Sequence, residues 1–183
     1  MLHRSPGKLT WFPLLILFAA AMPATDIPKG WREFVSEEGG YIAYYPRSWH
    51  FLGPKLPTLY IATFPFSKVI TGTIIPGWGA TISIVPPPAG VTTISEWIKR
   101  DRAVMPVESE KSFTVQRPPP KPPLHVTEVT FEPIEGVGGV NWYFDLSGRL
   151  LVARLSYYKG NPKADRYRQA LLDMVRLIAP LAR

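Results

Sequence analysis

The sequence predicts an α+β fold: an antiparallel β-sheet covered by helices on both faces. Three observations carry this. Residues 140–158 write a long hairpin with one strongly apolar face and a second that is half apolar, whereas a sheet with one wet face would show more charge on its outer side. Residues 167–178 carry an unbroken helical stripe of apolar side chains. A second helical pattern, with its own cap, surrounds Trp97.

In chain order, the first segment stands outside that fold. "MLHRSPGK" holds Arg4 and Lys8 and no acid, "LTWFPLLILFAAAM" is apolar almost throughout, and "MPAT" supplies small residues. Basic, apolar, then small is the order of a secretory signal peptide, here over residues 1–24. A span that stayed in the membrane would need about 20 apolar residues; this run is shorter and contains Pro13. The expectation is cleavage after Ala21 or Ala24, export to a periplasm or beyond, and no stable membrane span afterwards. No cysteine follows the run to accept a lipid. The whole chain lacks cysteine, which excludes disulfides, thiol catalysis and thiolate metal sites.

Residues 25–183 then form one domain, long enough for a single core. Aromatic residues make up 13% and charged residues only 19%, the composition of a packed chain rather than a disordered one. Of the formal charge of +7, Arg4 and Lys8 supply two, leaving +5. The basic residues are scattered singly, a pattern that argues against a nucleic-acid partner.

"WREFVSEEGGYIAYY" reads as a strand, a tight turn at "EEGG" and a second strand, which Pro46 closes because it has no N–H to donate. Alternation places Ile42 and Tyr44 on one side and Tyr41, Ala43 and Tyr45 on the other. In a sheet covered on both faces both sets are core, and Trp49 folds back as a plug over the sheet's end. "LYIATFP" (59–65) and "GATISIV" (79–85) are further strands, while 67–79 reads as either a strand with a glycine-rich exit or a loop. Thr93 and Glu96 form a capping box opening a helix over 93–105, with Ile94, Trp97, Ile98 and Met105 on one face and Asp101 interrupting it.

"FTVQRPPPKPPLHVTEVTF" places two short strands around a proline-rich loop at 117–123, whose composition favours an extended polyproline conformation. In "VNWYFDLSGRLLVARLSYY" a two-residue turn at Ser147-Gly148 sets Phe144 opposite Leu151, Trp142 opposite Ala153 and Val140 opposite Leu155. Tyr143 then faces Val152, and Asn141 faces Arg154. Gly138-Gly139 read as a turn leading into that strand at Val140. The last helix is capped by Asn161, with Pro162 at its first position and Asp165 near its positive end. Tyr167, Ala170, Leu171, Met174, Val175 and Ile178 form its apolar stripe, and Pro180 ends it.

An exported chain that opens on an aromatic hairpin ending "YYPRSW" and closes on a long hairpin running into an amphipathic helix resembles the PsbP-like family. A strand ending tyrosine-proline-x-x-tryptophan is common near the mature N-terminus there; the matching positions are Tyr45, Pro46 and Trp49. The resemblance spans residues 31–180. It implies an α/β/α sandwich around an antiparallel sheet and a non-catalytic binding or assembly factor. It implies no ligand residues.

Chemistry-bearing motifs are sparse. The part beyond residue 24 has two histidines, His50 and His125, which could hold a catalytic zinc only with a carboxylate such as Glu128 or Glu132. Neither "HExxH" nor "GxSxG" occurs, and the glycine pairs lack the phosphate-loop lysine and the dinucleotide fingerprint. No catalytic residue, cofactor or metal is assigned. Two stretches are candidates for binding: Tyr157, Tyr158 and Lys159 beside a helix N-terminus, and Trp78 between glycines, where it would serve as a lid, a partner contact or a core plug. The leading expectation is a non-catalytic accessory protein that binds another envelope or exported protein. The alternatives are a carrier of a small hydrophobic ligand and a hydrolase with a dispersed site around His50 or His125.

Overall fold

A computed structural model describes residues 27–52, 57–65 and 75–182. The signal peptide expected over 1–24 and the larger part of the ambiguous stretch 67–79 lie outside the described residues.

The first hairpin pairs β1 (Trp31–Ser36) with β2 (Tyr41–Pro46) across Glu37–Gly40, with Trp31 opposite Pro46. There follow β3 (His50–Phe51), β4 (Leu59–Ala62), β5 (Ala80–Val85), α1 (Ile94–Arg102), β6 (Val107–Val115), β7 (Leu124–Ile134), β8 (Val137–Asp145), β9 (Leu150–Tyr158), α2 (Ala164–Leu177) and β10 (Ala179–Pro180). Among the described residues, seven strands form one antiparallel sheet in the order β3-β4-β5-β9-β8-β7-β6; β1, β2 and β10 form a smaller one. The β8–β9 register is the one the Ser147-Gly148 turn dictates, with Trp142 opposite Ala153 and Tyr143 opposite Val152. Ser147 and Gly148 take φ of 57° and 83°, and Leu146 and Arg149 exchange both backbone hydrogen bonds.

One face of the large sheet carries the main core. Trp142, Phe144, Leu151, Ala153, Leu155, Ile82 and Ile84 meet α2 through Tyr167, Leu171, Met174 and Val175, and meet the small sheet through Tyr41, Ala43 and Tyr45. The Tyr41 hydroxyl stitches the two sheets together: it accepts from the Leu59 N–H at 3.0 Å and donates to the Ile84 carbonyl at 2.9 Å. Burial holds its proton on well above the usual phenol range. The opening aromatic segment is thus scaffold, with Tyr41, Tyr44, Tyr45 and Trp49 all buried.

The opposite face carries α1. Its capping box is present as read, with the Thr93 side chain accepting from the Glu96 N–H and the Glu96 carboxylate from the Thr93 N–H. Trp97 and Ile98 pack on Val129, Phe131, Tyr143 and Val152, whereas Ser83, Arg154 and Ser156 on the same face are only half-buried. The predicted antiparallel sheet with two helices is present; on this face α1 forms a patch at the centre. Asp101, which breaks the apolar stripe of α1, is buried against the sheet. It accepts hydrogen bonds from the Tyr143 hydroxyl at 2.6 Å and from Arg154 at 3.0 Å.

Several boundaries differ from expectation. α1 ends at Arg102, not 105, and Met105 packs from the loop beyond. The strands around the proline-rich loop are long, of 9 and 11 residues, because β6 already begins at Val107. The loop itself is a turn and not an extended helix: the Lys121 N–H donates to the Pro118 carbonyl at 3.1 Å. Gly138 and Gly139 lie inside β8, which begins at Val137; the turn before it is Glu135-Gly136. Gly139 is there for clearance, since a Cβ would fall 2.0 Å from the Leu155 carbonyl oxygen. α2 begins at Ala164, so Asn161 does not cap it and Pro162 precedes it. Pro180 does more than end the helix: Ala179 and Pro180 pair with Ile42 and Tyr41.

Candidate functional site: an aromatic trough along α2

The Tyr-Pro-x-x-Trp segment is a turn in which the Trp49 N–H donates to the Pro46 carbonyl at 3.0 Å. The turn throws the Trp49 ring back onto α2, edge-on to Tyr167 at 5.9 Å. On one side of this pair stands Trp31, its carbonyl held by the Arg47 guanidinium at 3.1 Å. On the other stands Trp78, in a turn closed by the Gly79 N–H donating to the Pro76 carbonyl at 2.7 Å. Three tryptophans and a tyrosine thereby line a groove of about 490 Å³ beside α2, with Ser48, Thr63, Gln169 and Asp173 among its polar groups.

Trp78 is 51% exposed, yet its backbone is fixed. The Asn161 amide donates to the Gly77 carbonyl at 3.0 Å and the Tyr167 hydroxyl to the Trp78 carbonyl at 2.8 Å. Its ring meets Phe64 edge-on at 6.2 Å. Asn161, read as a helix cap, instead ties the start of α2 to the Trp78 turn while its Oδ1 accepts from the Lys163 N–H at 2.9 Å.

The groove continues past Trp31 and Asp173 into a second of about 530 Å³, lined by Arg117, Arg176 and Leu177 at the far end of α2. There the cations serve the helix's negative end: Lys121 Nζ donates to the Leu177 carbonyl at 2.6 Å, and Arg117 donates to that of Ile178. Burial lowers the pKa of Arg117, and burial followed by the charge of Arg117 lowers that of Lys121. At the other end, Lys163 and Arg166 flank Trp78 at the positive end of the helix dipole, where cations are disfavoured by about 0.3–1 kcal/mol each. Neither makes a salt bridge with a described residue.

The other sequence candidates are dispersed. Tyr157 faces the main core and Tyr158, next in β9, the opposite side; Lys159 is exposed, and its N–H donates to the Gly136 carbonyl at 2.9 Å. These three therefore do not share one pocket. His50 on β3 and His125 on β7 are both exposed, and the strand order puts them five strand spacings apart, about 24 Å. His125 sits against Thr114 Oγ1 at 3.2 Å, and Glu128, three residues on, projects from the opposite face. There Glu128 is buried, accepting from Trp142 Nε1 at 2.7 Å and from both Arg168 nitrogens at 3.0 and 3.2 Å. Glu132 is exposed on the outer strand pair. Among the described residues no three His, Asp or Glu side chains are grouped to hold a metal. The trough was missed because its residues come from five separated segments; "YPRSW", "GWG" and the α2 stripe were each visible, but not their convergence.

No family model matches this chain, and no curated protein does. Its path is similar to several solved structures. Cyanobacterial PsbP (CyanoP) from Synechocystis sp. PCC 6803 shares 9% identity at a TM-score of 0.47, over 82% of this chain and 92% of that one. A protein of unknown function, PA94 from Pseudomonas aeruginosa, shares 10% at 0.45, over 84% and 99%. A Bacteroides thetaiotaomicron protein shares 10% at 0.49, over 83% of this chain but only 49% of its own. Each of these likenesses lies below a TM-score of 0.5 and is one of overall chain path. None carries a residue role, ligand or activity across.

Proposed function

We propose that this chain is an exported, non-catalytic accessory protein that binds another envelope protein through the trough along α2, built on a PsbP-like α/β/α sandwich. The observation that supports this best is the Trp78 ring, half exposed on a turn whose backbone is pinned by Asn161 and Tyr167. A large ring held in place for contact loses little entropy on binding. The groove is open along α2 and so buries less of a compact ligand than a carrier's cavity does, which favours a macromolecular partner over a small hydrophobic cargo. The wide separation of His50 and His125 speaks against the hydrolase alternative.

The test is recovery of a partner from envelope extract by the wild-type chain and by a Trp31→Ala/Trp78→Ala variant with an unchanged melting temperature. A reproducible partner lost at least 10-fold in the variant supports the reading. Equal recovery by both, or no partner at all, overturns it.

A further inference from the structure

We propose that the trough takes an extended peptide of about seven residues, acidic toward both ends and carrying a hydrogen-bond donor about two thirds of the way along it. This deepens the reading of the trough as a binding surface and rests on it. The length follows from α2: Lys163 lines one end and Leu177 the other, fourteen residues apart, so the floor runs for about 21 Å. A polyproline-type peptide advances about 3.1 Å per residue, which gives about seven residues. Aromatic-lined grooves hold such backbones by packing the rings against proline or apolar side chains. Here Trp78 and Trp49 both meet Tyr167, and Trp31 is shared with the second groove at the Leu177 end.

The charges choose among ligands. Lys163 and Arg166 mark one end and Arg176 the other, beside Arg117, whose guanidinium the Pro122 and Ile178 carbonyls already hold; Asp173, shared by both grooves, lies between them and nearer Arg176. A polymer that is negative throughout, such as a nucleic acid, would set a charge against Asp173. A peptide can carry acids at both ends and a donor, from a lysine, a hydroxyl or a backbone N–H, opposite Asp173. Lys163 and Arg166 also stand where the helix dipole opposes them, so a ligand carboxylate relieves an existing electrostatic cost.

The experiment is selection from a displayed library of randomised heptapeptides on the purified protein, followed by affinities of the selected peptides in fluorescence anisotropy. Expected peptides are enriched in Asp or Glu toward both ends, with proline or apolar residues between and a lysine, serine or threonine near the fifth position. Lys163→Glu/Arg166→Glu should weaken them at least 10-fold while leaving the melting temperature unchanged or slightly raised. Trp31→Ala/Trp78→Ala should weaken them similarly. Selected peptides that need the tryptophans but carry no acidic excess overturn the charge assignment and leave the binding surface standing. Peptides indifferent to all four substitutions overturn both readings. No enrichment at all, or tighter tryptophan-dependent binding of a labelled single-stranded oligonucleotide or of anionic vesicles, overturns the peptide class.

Discussion

Glu128 shows how one side chain can carry a large share of local stability. Burial alone would raise its pKa, but hydrogen bonds from Arg168 and Trp142, with the charges of Arg168 and Lys111, outweigh that and leave it lowered. A folded pKa below the unfolded value of about 4.3 means its contribution is complete above that pH and disappears as pH falls through the folded value. Glu128→Gln should therefore cost about 1–3 kcal/mol at neutral pH. In chemical denaturation the gap to wild type should narrow as the pH falls below about 4.3 and close once it has passed the folded value; a gap that persists at acid pH would place the effect in packing instead. Asp101 is the corresponding residue on the other face. Asp101→Ala removes the acceptor for Tyr143, Asn141 and Arg154 together and should cost about 1–3 kcal/mol. Tyr143 keeps its proton well above the ordinary range, through burial first and Asp101 second. Hydrogen exchange should show α1 opening before the sheet in that variant; unchanged protection of α1 would assign Asp101 no docking role.

Among the elements, the β8–β9 hairpin gives the sharpest contrast. Gly139 faces the Leu155 backbone at a distance no Cβ can occupy, so Gly139→Ala must part the two strands and should cost about 3 kcal/mol or more. Gly148 has open space around it and only a positive φ to satisfy, so Gly148→Ala should cost about 1 kcal/mol. Thermal melts of the two variants separate clash from conformation; equal losses would contradict the register. The same hairpin was the most legible element in the sequence, because its pairing follows from a two-residue turn and an apolar pattern of period two. The start of α2 was less legible. Asn161 and Pro162 have the chemistry of a helix start, but Asn161 is claimed by the Trp78 turn, a contact 84 residues away in sequence. Asn161→Ala should loosen that turn, weakening binding in the trough more than it lowers the melting temperature.

At the scale of the molecule, the chain closes on itself. β10 follows α2 directly and pairs with β2, the Leu181 N–H donates to the Gly40 carbonyl at 3.0 Å, and Ile178 is fully buried beside them. Truncation after Leu177 should therefore remove Ile178 from the core and destabilise by about 2–5 kcal/mol, with loss of the small sheet visible as exposure of Trp49 fluorescence. A truncated chain that melts with the wild type would show that β10 adds nothing. Local spacing and the period of each element were enough to read the β1–β2 and β8–β9 hairpins, strands β4 and β5, the capped start of α1, the α2 stripe and the burial of Tyr41, Tyr44, Tyr45 and Trp49. Tertiary structure alone decided that Asp101 is buried, that the proline-rich loop turns to cover the end of α2, and that Trp31, Trp49 and Trp78 converge. Each of those outcomes rests on partners distant in the chain, and a linear pattern does not encode which of them will meet.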